Sequence, residues 1–128
     1  MRHVPSELLI LFAHGSRDPR WRATFEELAA AAAAQAGTDM VRLAYLELSE
    51  PTLECVVARA VGDGVVRMRV LPLFLAAGKH LSEDVARRVD ESRAAHPGID
   101  IELLPAVGED ERLRSLVRQI AAETVASR

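Results

Sequence analysis

Residues 8–16 read LLILFAHGS, six apolar side chains running without a break into a histidine, a glycine and a serine. A run this short and this uniformly apolar predicts a strand buried on both faces, because a strand with one wet face alternates. It is too short to cross a bilayer and no cleavage-site pattern follows it, so no membrane partner and a cytoplasmic location are expected. Beyond it the period changes. Trp21, Phe25, Leu28 and Ala32 recur at helical spacing through an alanine tract that ends at Gly37.

The same alternation of periods repeats along the chain. Val41, Leu43 and Tyr45 alternate with Arg42 and Ala44 as a second strand. Pro51 is placed at the first turn of a second helix, whose stripe is Leu53, Val56, Val57, Ala60 and Val61 and which Gly62 and Gly64 close. Val65–Leu71 is a third strand, stopped by Pro72. Leu81, Val85 and Val89 mark a third helix, with Glu83 and Asp84 at its positive end, and His96-Pro97-Gly98 ends it. Ile99, Ile101 and Leu103 alternate as a fourth strand. Glu109 and Asp110 then open a fourth helix with the apolar face Leu113, Leu116, Val117 and Ile120.

A helix in every crossover means parallel strands. The expected fold is therefore one α/β domain over residues 1–128, a four-stranded parallel sheet flanked by helices. The two mixed-polarity strands belong at the edges, which gives the order 2-1-3-4. Arg67 and Arg69 sit on one face of a central strand, where long stems can cover apolar surface while the heads reach water.

Composition narrows the function. With 49% apolar and 27% charged residues the 128-residue chain is ordinary globular material, and a formal net charge of -3 argues against nucleic acid as its partner. The single cysteine, Cys55, excludes an internal disulfide and reads as a small core residue. His3 and His96 read as surface residues, and Glu50 as a charge favouring the second helix's start.

In an open parallel sheet, ligands bind beyond the carboxyl ends of the strands where the order reverses, here between strands one and three. His14 follows strand one, His80 follows strand three, and Glu47 follows strand two. Imidazole with carboxylate suits borderline divalent ions, and an imidazole with an unperturbed pKa of about 6.5 also accepts a proton near neutrality.

The stretches LLILFAHGSRDPR (8–20), AYLELSEPTL (44–53) and RVLPLFLAAGKHLSEDV (69–85) together resemble the short CbiX/SirB-type sirohydrochlorin chelatases of the class II chelatase family. The resemblance runs from about Leu8 to the last helix. It implies one half of a class II chelatase fold and ATP-independent insertion of Co²⁺, Fe²⁺ or Ni²⁺ into sirohydrochlorin, for cobalamin or siroheme biosynthesis. It further implies that no cofactor is permanently bound and that the metal is a substrate. His14 and His80 are implied as metal-binding and catalytic residues, with Glu47 close to the metal. Short members are homodimers with the site between subunits. Ser16, Arg17, Arg20 and Lys79 flank the histidine loops and suit the carboxylates of the substrate, and Phe74 suits its apolar faces. Two other functions compete. A carrier of metal or tetrapyrrole would saturate at one equivalent. Phosphoryl transfer on His14 is weaker, since the loop lacks a glycine-rich cradle.

Overall fold

A computed structural model describes residues 7–37 and 40–126; His3 lies outside them. The chain order is β1 (Glu7–Ala13), α1 (Pro19–Ala36), β2 (Val41–Tyr45), α2 (Leu53–Gly62), β3 (Arg67–Pro72), α3 (Lys79–Ala95), β4 (Asp100–Leu103), a 3-10 turn (Val107–Glu109) and α4 (Glu111–Ala126). All strand pairs are parallel, in the order β2-β1-β3-β4, as the polarity of the strands predicts.

One sheet face carries the core. Leu8, Ile10 and Phe12 of β1, Met68 and Val70 of β3 and Ile101 of β4 pack against Leu53, Val56, Val57 and Ala60 of α2 and Val85 and Val89 of α3. Truncating a fully buried side chain such as Phe12 to alanine costs about 3–5 kcal/mol at such sites. The opposite face is covered only in part. There α1 lies along β2, with Trp21 stacked on Phe25 at 4.3 Å and 6.2 Å from Tyr45. Asp18 starts α1 by accepting the Arg20 N–H at 2.9 Å, and Gly37 ends it in the left-handed region.

Among the described residues, no helix packs on the β3–β4 part of this second face. Arg67 pairs with Glu7 at 3.2 Å and Asp100 at 3.4 Å, and Arg69 pairs with Glu102 at 3.4 Å, all across neighbouring strands. This accounts for two arginines on a central strand. They face water through a gap in the helical layer, and each pair, half exposed, is worth at most about 1 kcal/mol.

The gap arises because α4 does not return to the sheet. No residue of α4 is fully buried, and Leu116, Val117 and Ile120 are each about half exposed. The expected core face of the fourth helix is thus open within one chain.

Five smaller expectations also change. Pro51 does not start α2: its carbonyl is taken by the Tyr45 N–H at 2.9 Å, which ties it to the end of β2. Thr52 caps the helix instead, and Glu54, rather than Glu50, is the acid in the first turn. Cys55 is exposed, because α2 turns positions 53, 56, 57 and 60 inward. Glu83 and Asp84 fall in the second turn of α3, which begins at Lys79, and Asp110 precedes α4 with its carboxylate on the Arg112 N–H at 2.8 Å.

Candidate functional site

The ladder between β1 and β2 continues past both strands and builds a rigid pair of loops. Leu46 N–H donates to the Ala13 carbonyl at 2.8 Å and Glu47 N–H to the His14 carbonyl at 3.0 Å. Further on, Ser49 Oγ donates to the Ser16 carbonyl at 2.6 Å and accepts the Ser16 N–H at 3.2 Å. Gly15 permits this approach. Its φ is +107°, and a Cβ there would stand 1.6 Å from the Glu47 carbonyl oxygen. Leu48 holds a left-handed φ of 62°, unusual for a branched residue.

The two loops bring His14 and Glu47 together, with Nε2 and Oε1 3.0 Å apart. Both side chains remain about half exposed, at 49% and 56%, so the pair opens to solvent. Phe74 lies edge-on to the His14 ring at 6.3 Å. Beyond Phe74, past the carboxyl ends of β3 and β4, a cavity of about 580 Å³ is lined by Phe74, Ala77, Ser82, Val85, Leu103 and Arg114 among others. Gly108 closes one wall; its N–H donates to the Phe74 carbonyl at 2.9 Å and a Cβ would come 1.7 Å from the Leu75 carbonyl oxygen.

The other expected residues are placed less closely. His80 is exposed in the first turn of α3, at the same end of the sheet as His14. No group of three or more His, Cys, Asp or Glu side chains able to share a metal ion occurs among the described residues, so one chain pairs His14 with Glu47 and leaves His80 apart. Arg17 is exposed beside the His14 loop. Arg20 folds back on Asp18, and Lys79 stands 4.0 Å from Glu83. Ser16 has its N–H and carbonyl engaged by Ser49, while its hydroxyl accepts the Asp18 N–H at 3.0 Å. Ser16, expected to serve the substrate's carboxylates, therefore has its backbone groups spent within the loop.

Two contributors escape sequence reasoning. Arg114, near the start of α4, lines the cavity. Arg88 grips Glu54 through Nε at 2.7 Å and Nη2 at 3.0 Å, and the Leu46 carbonyl through Nη1 at 2.9 Å. Its position inside α3 next to Arg87 gives no hint of this.

The Arg88 guanidinium holds the Glu54 carboxyl below its ordinary value of 4.5. A depressed folded pKa means the pair stabilises the fold above the unfolded value, and that contribution is lost as pH falls through the folded one. Glu54→Gln is thus expected to flatten the fall in unfolding midpoint below about pH 4.5, read from thermal melts across pH 3–7.

Comparison with known proteins gives the lineage. The model of the CbiX family matches residues 8–124, from the first buried strand to the end of α4. The chain belongs to the CbiX family. A sirohydrochlorin cobaltochelatase of Methanosarcina acetivorans is 31% identical over 116 residues, covering 85% of this chain and 89% of the relative. A CbiX protein of Marinobacter aquaeolei VT8 has a crystal structure that superposes with a TM-score of 0.83 at 40% identity, covering 95% of this chain and 99% of that one. The sirohydrochlorin chelatase SirB of Bacillus subtilis subspecies spizizenii, solved with cobalt, superposes at 0.79 with 23% identity and shares the fold. The match takes up 93% of this CbiX chain but 51% of SirB. The CbiX domain is one half of a class II chelatase fold.

Proposed function

We propose that this CbiX-family chain is a sirohydrochlorin chelatase that inserts Co²⁺, without ATP, for cobalamin synthesis, with Fe²⁺ for siroheme as the second metal. The observation that carries this reading is the His14–Glu47 pair, held 3.0 Å apart on interlocked loops at the reversal point of the sheet. Nε2 and Oε1 now share a hydrogen bond, and an imidazole nitrogen beside a carboxylate oxygen is a donor pair suited to a borderline divalent ion that displaces the proton between them. His80 supplies a further nitrogen from the first turn of α3.

Insertion exchanges one divalent ion for two pyrrole N–H protons. The macrocycle lies along the cavity past β3 and β4, where Leu75 is exposed. Phe74, expected from the sequence to meet the ring, is buried in the core and forms only part of the wall. Arg17, Arg20, Lys79 and Arg114 are near enough to serve the macrocycle's carboxylates. One histidine, His14 or His80, accepts one of these protons and water takes the other as the ion passes from protein to ring, while Glu47 balances the ion's charge. Anaerobic insertion into sirohydrochlorin with Co²⁺, Fe²⁺ and Ni²⁺ in parallel, followed by absorbance, tests this. Multiple turnovers above the spontaneous rate, fastest with cobalt, are expected; saturation at one equivalent would make the chain a carrier.

We also propose that the working unit is a homodimer with the site between the subunits. The fold fills about half of a SirB chain, and α4 presents Leu116, Val117 and Ile120 to solvent. An apolar helical face of this kind is buried in a stable assembly. Leu116→Asp with Ile120→Asp is expected to shift the sedimentation coefficient from dimer to monomer. An unchanged dimer would place the interface elsewhere.

A further inference from the structure

Arg88 lies in the middle of α3 with its side chain 17% exposed, and all three hydrogen-bonding nitrogens of its guanidinium are engaged. Two of them form a fork on Glu54, in the first turn of α2. The third donates to the carbonyl of Leu46, the residue before Glu47. Leu46 is then held at both of its backbone polar groups. The Leu46 N–H goes to the end of β1 at Ala13, and the Leu46 carbonyl goes to α3.

The consequence reaches the site by a short route. With Leu46 fixed, Glu47 has little freedom at its own backbone, since its N–H is tied to His14 and its carbonyl lies against Gly15. The same arginine belongs to the helix whose first turn carries His80. One side chain thereby joins the segments that bear Glu47 and His80, and the Leu46 N–H bonded to Ala13 carries the link on to the segment that bears His14. A lone structural ion pair would need only the fork to Glu54; the bond to Leu46 is the part that concerns the site.

We infer that Arg88 is a positioning residue for metal binding: it holds the Glu47 loop against His14 and seats the His80 helix on the same frame. This rests on the reading of His14 and Glu47 as the metal-holding pair, and its test does not depend on turnover. Partners of this outer kind typically change metal affinity by about 10–100-fold when removed.

The experiment combines amide hydrogen exchange with Co²⁺ titration on the full chain, in wild type, Arg88→Gln, Arg88→Lys and Glu54→Gln. Arg88→Gln is expected to speed exchange at the Leu46 and Glu47 amides at least about tenfold, leave the Val70 amide unchanged, and weaken Co²⁺ binding about tenfold. With sirohydrochlorin, KM for cobalt rises more than kcat falls. Arg88→Lys recovers part of both effects, since one donor can still reach Leu46. Glu54→Gln breaks the ion pair but leaves the Leu46 bond, so it lowers the melting midpoint while keeping Co²⁺ affinity within about threefold. Wild-type exchange at Leu46 and Glu47 in Arg88→Gln, or equal losses in Arg88→Gln and Glu54→Gln, would overturn the assignment. If the wild type binds cobalt without turning over the tetrapyrrole, the chelatase reading fails while exchange and titration still decide the role of Arg88.

Discussion

His14→Ala is expected to lower cobalt insertion at least about 100-fold while moving the melting midpoint by no more than about 3 °C. The two halves of this prediction have separate causes. His14 is about half exposed and its polar side-chain contact is with the equally exposed Glu47, so the fold loses little when the ring goes. The incoming ion, by contrast, loses a nitrogen donor that the carboxylate of Glu47 alone does not replace. Glu47→Gln keeps the size and the backbone bonds of the loop and removes only the charge, so a smaller fall, about tenfold, is expected. Lys79→Ala, at a flexible exposed side chain, should raise KM for the tetrapyrrole with kcat nearly kept. Insertion assays paired with thermal melts separate these cases. A His14→Ala chain with wild-type turnover would remove the pair from the mechanism.

Gly15→Ala should be strongly damaging for so small a change. An alanine there must hold φ near +107° and find room for a Cβ 1.6 Å from the Glu47 carbonyl oxygen. Strained backbone of this kind costs about 1–3 kcal/mol, and the contact forces the two loops apart as well. A loss above about 3 kcal/mol is expected, roughly 10 °C or more in the melting midpoint. Whatever folds should have lost the spacing between His14 and Glu47 and with it metal binding. Gly37→Ala is the control. Its φ is +75° with nothing within 4 Å of a new Cβ, so it pays the conformational cost alone, about 1 kcal/mol. Equal losses at the two positions would show that the loops part easily and that their interlock is loose.

The architecture was legible because it is written in periodicity. LLILFA has no wet face and so belongs in the centre, while the alternation in Val41–Tyr45 and Ile99–Leu103 places those strands at the edges. His14 and Glu47 were legible as strand-end residues, since strand polarity brings the ends together. Their 3.0 Å pairing was not, because it depends on Gly15 accepting a backbone oxygen where any other residue carries a Cβ. Helix α4 shows the limit of periodicity. The spacing of Leu113, Leu116, Val117 and Ile120 states that a face wants to be buried, but not against what. Arg88 was illegible for a related reason: its partners, Glu54 and Leu46, are 34 and 42 residues away.

The ladder of charges on the bare face of the sheet bears on aggregation. The outer strand β4 is short, and it places Asp100 and Glu102 two residues apart on its exposed face. A second copy of β4 laid alongside it in register would set carboxylate against carboxylate, which repels. On the same strand the Ile101 carbonyl is already capped by Arg93 at 2.8 Å, so one hydrogen-bonding group of the edge is withdrawn. A short, charged and partly capped edge is a poor template for the endless strand-on-strand growth of fibrils. Neutralising it with Asp100→Asn and Glu102→Gln should leave the chain folded and make it more prone to precipitate on storage.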